Sequence, residues 1–107
     1  MKKLFISLPM EGLTKEEIKN NMYKLKNQAE EILGEPLELL DTYIEETPPS
    51  DTITNGLWYI CKSLLLLSKA NYVYFAKDWY KHKGCIIEHE AVLNYAPNSN
   101  LKIISEE

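Results

Sequence analysis

The feature that most constrains this chain is an unbroken run of β-favouring residues, Tyr72-Val73-Tyr74-Phe75-Ala76. It shows no alternation of apolar and polar positions, so a strand made from it must be covered on both faces. The surrounding segments supply the cover. Leu4 to Leu8 is a second apolar run, stopped by the loop Pro9-Met10-Glu11-Gly12. Thr14 then begins a helix, with Glu17 in capping-box position. Ile18, Met22, Leu25, Ala29, Ile32 and Leu33 recur at helical spacing until Gly34 stops them.

The rest of the chain repeats this alternation. Leu37 to Leu40 is a short strand behind Pro36, and Asp41 to Asp51 is a polar, turn-rich loop long enough to suggest a lid or a subunit contact. Thr54 to Ser68 forms a second helix, with Leu57, Ile60, Cys61, Leu64, Leu65 and Ser68 on one face. Leu64 to Leu67 is apolar all round, which suggests partners on two sides. Lys77 to Lys83 is a charged and aromatic loop. Gly84 to about Asn94 is a third helix, and Leu101 to Ile104 a last strand after the turn Pro97-Asn98-Ser99-Asn100. Strand and helix alternate throughout, which implies a parallel sheet with right-handed crossovers. The expected architecture is a small doubly wound α/β domain of three layers, flavodoxin-like or Rossmann-like, with a four- to five-stranded parallel sheet.

The chain has 107 residues, enough for a single domain. Its 45% hydrophobic and 26% charged residues suit a soluble globular protein. A domain this small buries only about 60–70% of the surface its unfolded chain exposes, so assembly into a dimer or larger homo-oligomer would help it. A net charge of −4 argues against a nucleic-acid polymer as partner, but not against a small anion held by local amides and a lysine. Cys61 and Cys85 make neither a disulfide framework nor a metal spacing. The apolar run after Lys2-Lys3 is too short for a secretory signal, and no segment approaches the ~20 apolar residues of a membrane span. The cytoplasm is the expected compartment.

In open α/β sheets, ligands bind beyond the carboxyl ends of the strands. Three loops reach that edge: Pro9 to Leu13, Asp41 to Ile53 and Lys77 to Gly84. The last places Glu88 in about the first turn of the third helix. There the helix dipole favours a carboxylate, which could attack an anomeric carbon or simply complement the dipole.

The run Trp79-Tyr80-Lys81-His82-Lys83-Gly84-Cys85-Ile86-Ile87-Glu88-His89-Glu90-Ala91, with Ile6-Ser7-Leu8-Pro9-Met10-Glu11-Gly12, resembles small bacterial and phage proteins of nucleoside 2-deoxyribosyltransferase-like type. These are related to the transferases and to the deoxynucleoside 5′-monophosphate N-glycosidases. The resemblance implies cleavage or transfer of the N-glycosidic bond of a 2′-deoxynucleoside or its 5′-monophosphate. Glu88, four residues after Gly84, would be the nucleophile at C1′, and no metal or organic cofactor would be needed. Gly84 and its neighbours His82, Lys83 and Cys85 would cradle a 5′-hydroxyl or phosphate. The stretch Ser7 to Gly12, with Ser7, Pro9, Met10 and Gly12 as its chief contacts, would line the sugar and base.

The chain departs from that pattern in places. Leu8 stands where the family has Gly, His82-Lys83 replaces Ser-Arg, and Asn71 replaces a common aspartate. Asp78 and Asp41 are the carboxylates available as a second acid; Asp78 is taken as the catalytic partner.

Trp79 and Tyr80 could stack on a base or form a subunit contact. Tyr43 could also stack, or be a surface tyrosine. His82 could bind an anion or lie in solvent, and His89 points away from Glu88 and reads as structural. Cys85, near a helix start, would have a lowered thiol pKa, and Cys61 belongs to the core. The alternative function is non-catalytic binding or sequestration of a nucleotide or nucleotide-derived signal. An interaction module without a ligand is a third reading.

Overall fold

A computed structural model describes residues 1–96 and 101–106. Its elements are β1 (Lys2–Ser7), α1 (Lys15–Leu33), β2 (Leu37–Leu39), α2 (Asn55–Leu67), β3 (Tyr72–Phe75), a short 3₁₀ turn (Trp79–Lys81), α3 (Lys83–Tyr95) and β4 (Lys102–Ser105). All strand pairs are parallel, in the order β2-β1-β3-β4. The expected doubly wound domain is therefore present, with a sheet of four strands. The turn expected at 97–100 lies outside the described residues.

Strict alternation along β1 and β3 builds two cores. Leu4, Ile6, Leu8, Tyr72 and Tyr74 point to one face, where Ile18, Met22, Leu25 and Ala29 of α1 cover them. Phe5, Val73 and Phe75 point to the other, against Leu67 of α2 and Val92 of α3. Register pairs Phe5 with Val73 and Ser7 with Phe75. The last position on the second face is therefore a serine, at the carboxyl end of β1. From β1 the chain runs through α1 to β2 on one side, then through α2 to β3 on the other. Strand order thus reverses at β1, which makes its carboxyl end the switch point of the sheet.

Local signals explain the element boundaries. Thr14 caps α1 by accepting from the Glu17 amide, and the Glu17 carboxylate accepts from the Thr14 amide at 3.1 Å. Gly34 ends α1 with φ 70°, a left-handed conformation that a side chain resists. Asn71 joins β3 to β1 through both backbone and side chain: its amide donates to the Lys3 carbonyl, and its Oδ1 accepts from the Lys3 amide at 2.8 Å.

The structure corrects two assignments of the core. Ile32 lies outside it, 59% exposed. In α2 the packed residue is Leu67, with Leu64 and Leu66 half-buried against the second core, whereas Leu57, Leu65 and Cys61 are exposed. Leu64 to Leu67 is apolar all round, so over this stretch contact with the sheet selects which side is buried. Among the described residues, no helix is long and apolar enough to cross a membrane.

The Thr14 cap gives a direct test. Thr14→Ala should lower unfolding free energy by about 1 kcal/mol in urea titrations, and Thr14→Ser should restore most of it.

Candidate functional site

The second face of the sheet brings three elements to one point. Ser7 ends β1, Ser63 lies on α2 and Glu88 on α3. The Ser7 hydroxyl donates to Glu88 Oε1 at 2.6 Å, and the Ser63 hydroxyl donates to Oε2 at 2.9 Å. Glu88 is only 6% exposed. The carboxyl thus sits beneath the switch point with a hydroxyl donor on each oxygen.

This placement changes the expected electrostatics. The helix begins at Lys83, so Glu88 falls in its second turn, beyond the first turn where the dipole acts most strongly. Burial pushes the Glu88 carboxyl above its usual range, while the Ser7 and Ser63 hydrogen bonds oppose that rise without cancelling it. The ionised state expected from the dipole is therefore disfavoured by loss of water. Cys85 is corrected in the same direction. It is buried, and loss of solvent raises its thiol pKa, with the Glu88 charge adding to the rise and a hydrogen bond with Ser7 opposing it.

Glu88 opens onto a cleft of about 840 Å³ at the carboxyl edge of the sheet, within the size range of small-molecule sites. Its walls come from all three edge loops and from α2; Met10, Thr42, Tyr43, Ile60 and Lys83 mark its extent. His82, Gly84 and Cys85 also wall it, so the loop before α3 lies beside the carboxyl as expected. Extra atoms at the Gly84 Cα would meet nothing within 4 Å, which leaves its backbone open to a ligand. A second groove, of about 520 Å³, runs between the far ends of α2 and α3 and has no carboxylate in its walls.

Other expected site residues are placed elsewhere. Pro9 and Gly12 are not among the cleft walls. Asp78 occupies a left-handed turn with φ 63°, accepts from the Tyr80 hydroxyl at 3.3 Å, and is likewise not a wall residue. Trp79 stacks on His89, with ring centroids 4.0 Å apart, and leans on Phe75. Its ring is thus engaged within the molecule, and His89 has the structural role read from the sequence. Tyr80 is exposed, edge-on to Trp79. Tyr43 does wall the cleft, with the Lys15 and Lys19 ammonium groups 5.7 and 5.6 Å from its ring centre. Whether Asn98 or Asn100 reaches a neighbouring site concerns positions outside the described residues.

Sequence reasoning missed Ser63 and Thr42, whereas Glu11, within the stretch expected to line the site, does wall the cleft. Ser63 carried a readable signal: it interrupts the apolar stripe of Ile60 and Leu67 at helical spacing. Thr42 lies on a loop whose course only the folded chain defines. Comparison with protein-family models, curated proteins and solved structures found no match to this chain.

The raised carboxyl pKa has a consequence for stability. A folded-state pKa above the unfolded value, ordinarily 4.5, means that the folded chain binds the proton more tightly. That contribution is fully present below the unfolded pKa and is lost as pH rises through the folded one. Glu88→Gln removes this titration. Its stability relative to wild type should therefore increase as pH rises above the unfolded value of 4.5 in urea unfolding, whereas an unperturbed carboxyl would leave the difference flat.

Proposed function

We propose that this protein cleaves or transfers the N-glycosidic bond of a 2′-deoxynucleoside or its 5′-monophosphate, with Glu88 as nucleophile. The observation that carries the reading is the buried Glu88 carboxyl, gripped by Ser7 and Ser63 where a cleft opens at the switch point of the sheet. The ionised carboxylate adds to C1′, and the base departs with the electron pair of the C1′–N bond. Water or a second base then displaces Glu88 from C1′, regenerating the free carboxylate. The two hydroxyl donors orient the carboxyl. Lys81 and Lys83 at the rim offer positive charge to a 5′-phosphate. The pair acts as point charges rather than as the bidentate fork an arginine would supply.

One observation favours the second reading, sequestration of an intact nucleotide. Burial holds Glu88 toward its neutral form, and Asp78, the expected second acid, does not wall the cleft. A neutral carboxyl binds polar groups well and attacks carbon poorly.

Self-association belongs to the same proposal. Ile53, Leu57 and Leu65 expose 98%, 63% and 57% of their surfaces, and Leu57 also lines the cleft; a second copy would cover this apolar area. Light scattering should give a mass above 12.4 kDa, and Leu65→Glu should return the protein to monomer.

The decisive experiment incubates wild type and Glu88→Gln with each deoxynucleoside and each 5′-monophosphate and separates free base by chromatography. The expected outcome is base release by wild type alone, with a loss of at least about 10³-fold in the variant and near-normal binding. A pH–rate profile should rise through an elevated carboxyl pKa, because attack needs the ionised form. Tight binding without turnover in either protein would replace this reading with sequestration.

A further inference from the structure

Thr42 lies on the loop after β2 and is 3% exposed. Its Oγ1 is enclosed and has no hydrogen-bond partner, the one such side-chain atom among the described residues. Buried hydroxyls nearly always find a partner, because an unmade bond forfeits the hydration the group had in the unfolded chain. A valine has nearly the same shape without that penalty, so packing alone gives no reason for a threonine here. The residue is also part of the cleft wall, on the opposite side of β1 from Lys83 and Gly84.

The loop around Thr42 is held in place. The Tyr43 amide donates to Asp41 Oδ1 at 3.0 Å, and Asp41 pairs with Lys19 of α1. Lys15 pairs with Glu45, and Lys62 of α2 reaches Glu46 at 3.0 Å. The loop is thus tied to α1 and to α2, the second of which borders the cleft. A turn of the side chain between staggered rotamers exchanges the hydroxyl with the methyl group and requires no backbone movement.

We propose that Thr42 is a specificity residue, its hydroxyl reserved for the polar edge of the nucleobase. This rests on the nucleoside reading above and adds the direction in which the ligand lies. The sugar sits over Glu88 at the end of β1, its 5′ substituent points to Lys83 and Gly84 beyond β3, and the base points to Thr42 beyond β2. A hydroxyl both donates and accepts, so it can pair with a ring nitrogen, a carbonyl or an amino group. A base lacking the matching group leaves the hydroxyl unpaired, which is how a polar site rejects analogues.

The test compares wild type with Thr42→Val, Thr42→Ala and Thr42→Ser by melting temperature without ligand and by calorimetric titration with the deoxynucleosides and their 5′-monophosphates. Thr42→Val should melt about 5 °C higher than wild type when ligand-free. It should bind the preferred compound at least about tenfold more weakly. Thr42→Ala should lose the same affinity, so the result stands even if the valine variant folds poorly. Thr42→Ser should bind like wild type and keep its preference among bases. Equal affinity in wild type, Val and Ala would overturn the assignment, and so would an unchanged or lower melting temperature for a well-folded Val variant. If wild type itself binds no member of the panel, the nucleoside reading fails and takes this assignment with it. That failure is visible before any variant is made.

Discussion

Strands β1 and β3 carry apolar side chains on both faces, and neither face can be left in water. Leu4, Phe5, Ile6, Val73, Tyr74 and Phe75 are all at most 2% exposed. Covering both faces requires helices above and below, and a parallel sheet with crossovers is the arrangement that supplies them. Reversal of strand order at β1 follows, because α1 takes one face while α2 and α3 take the other. The cleft is a by-product of that reversal, since the loops leaving β1 and β3 diverge there.

Glu88 sits where this packing would otherwise demand an apolar residue. It occupies the second face alongside Cys85 and Val92, the other buried residues of α3. Two hydroxyls repay part of the lost hydration, one from the end of β1 and one from a stripe position of α2. The repayment is incomplete, which is why the carboxyl keeps its proton more readily than a solvated one. Perturbed carboxyls of this kind concentrate at functional sites. Thr42 shows the same pattern on a smaller scale, a buried polar atom whose partner the chain itself does not provide.

The surface tells a related story. The loop from Asp41 to Glu46 is tied across the cleft border by ion pairs from Lys15, Lys19 and Lys62. Exposed pairs of this kind each contribute little, about 0–1 kcal/mol. Together they help to set the loop's course. Beside it, α2 turns Leu57 and Leu65 to solvent. A helix with apolar residues on more than one side satisfies the sheet with one of them and leaves another that water does not favour.

The sequence by itself determined the element order, the α1 cap at Thr14, the Gly34 stop and the three loops at the carboxyl edge, because each depends on residues near one another in the chain. It also singled out Glu88 and the loop before it. The tertiary structure alone decided which side of Leu64 to Leu67 is buried, since that stretch of α2 is apolar all round. It decided that Cys61 is outside and that Trp79 spends its ring on His89. It also decided the direction in which the Glu88 pKa moves. Desolvation depends on neighbours as distant in sequence as Ser7, 81 positions away. No local pattern encodes it.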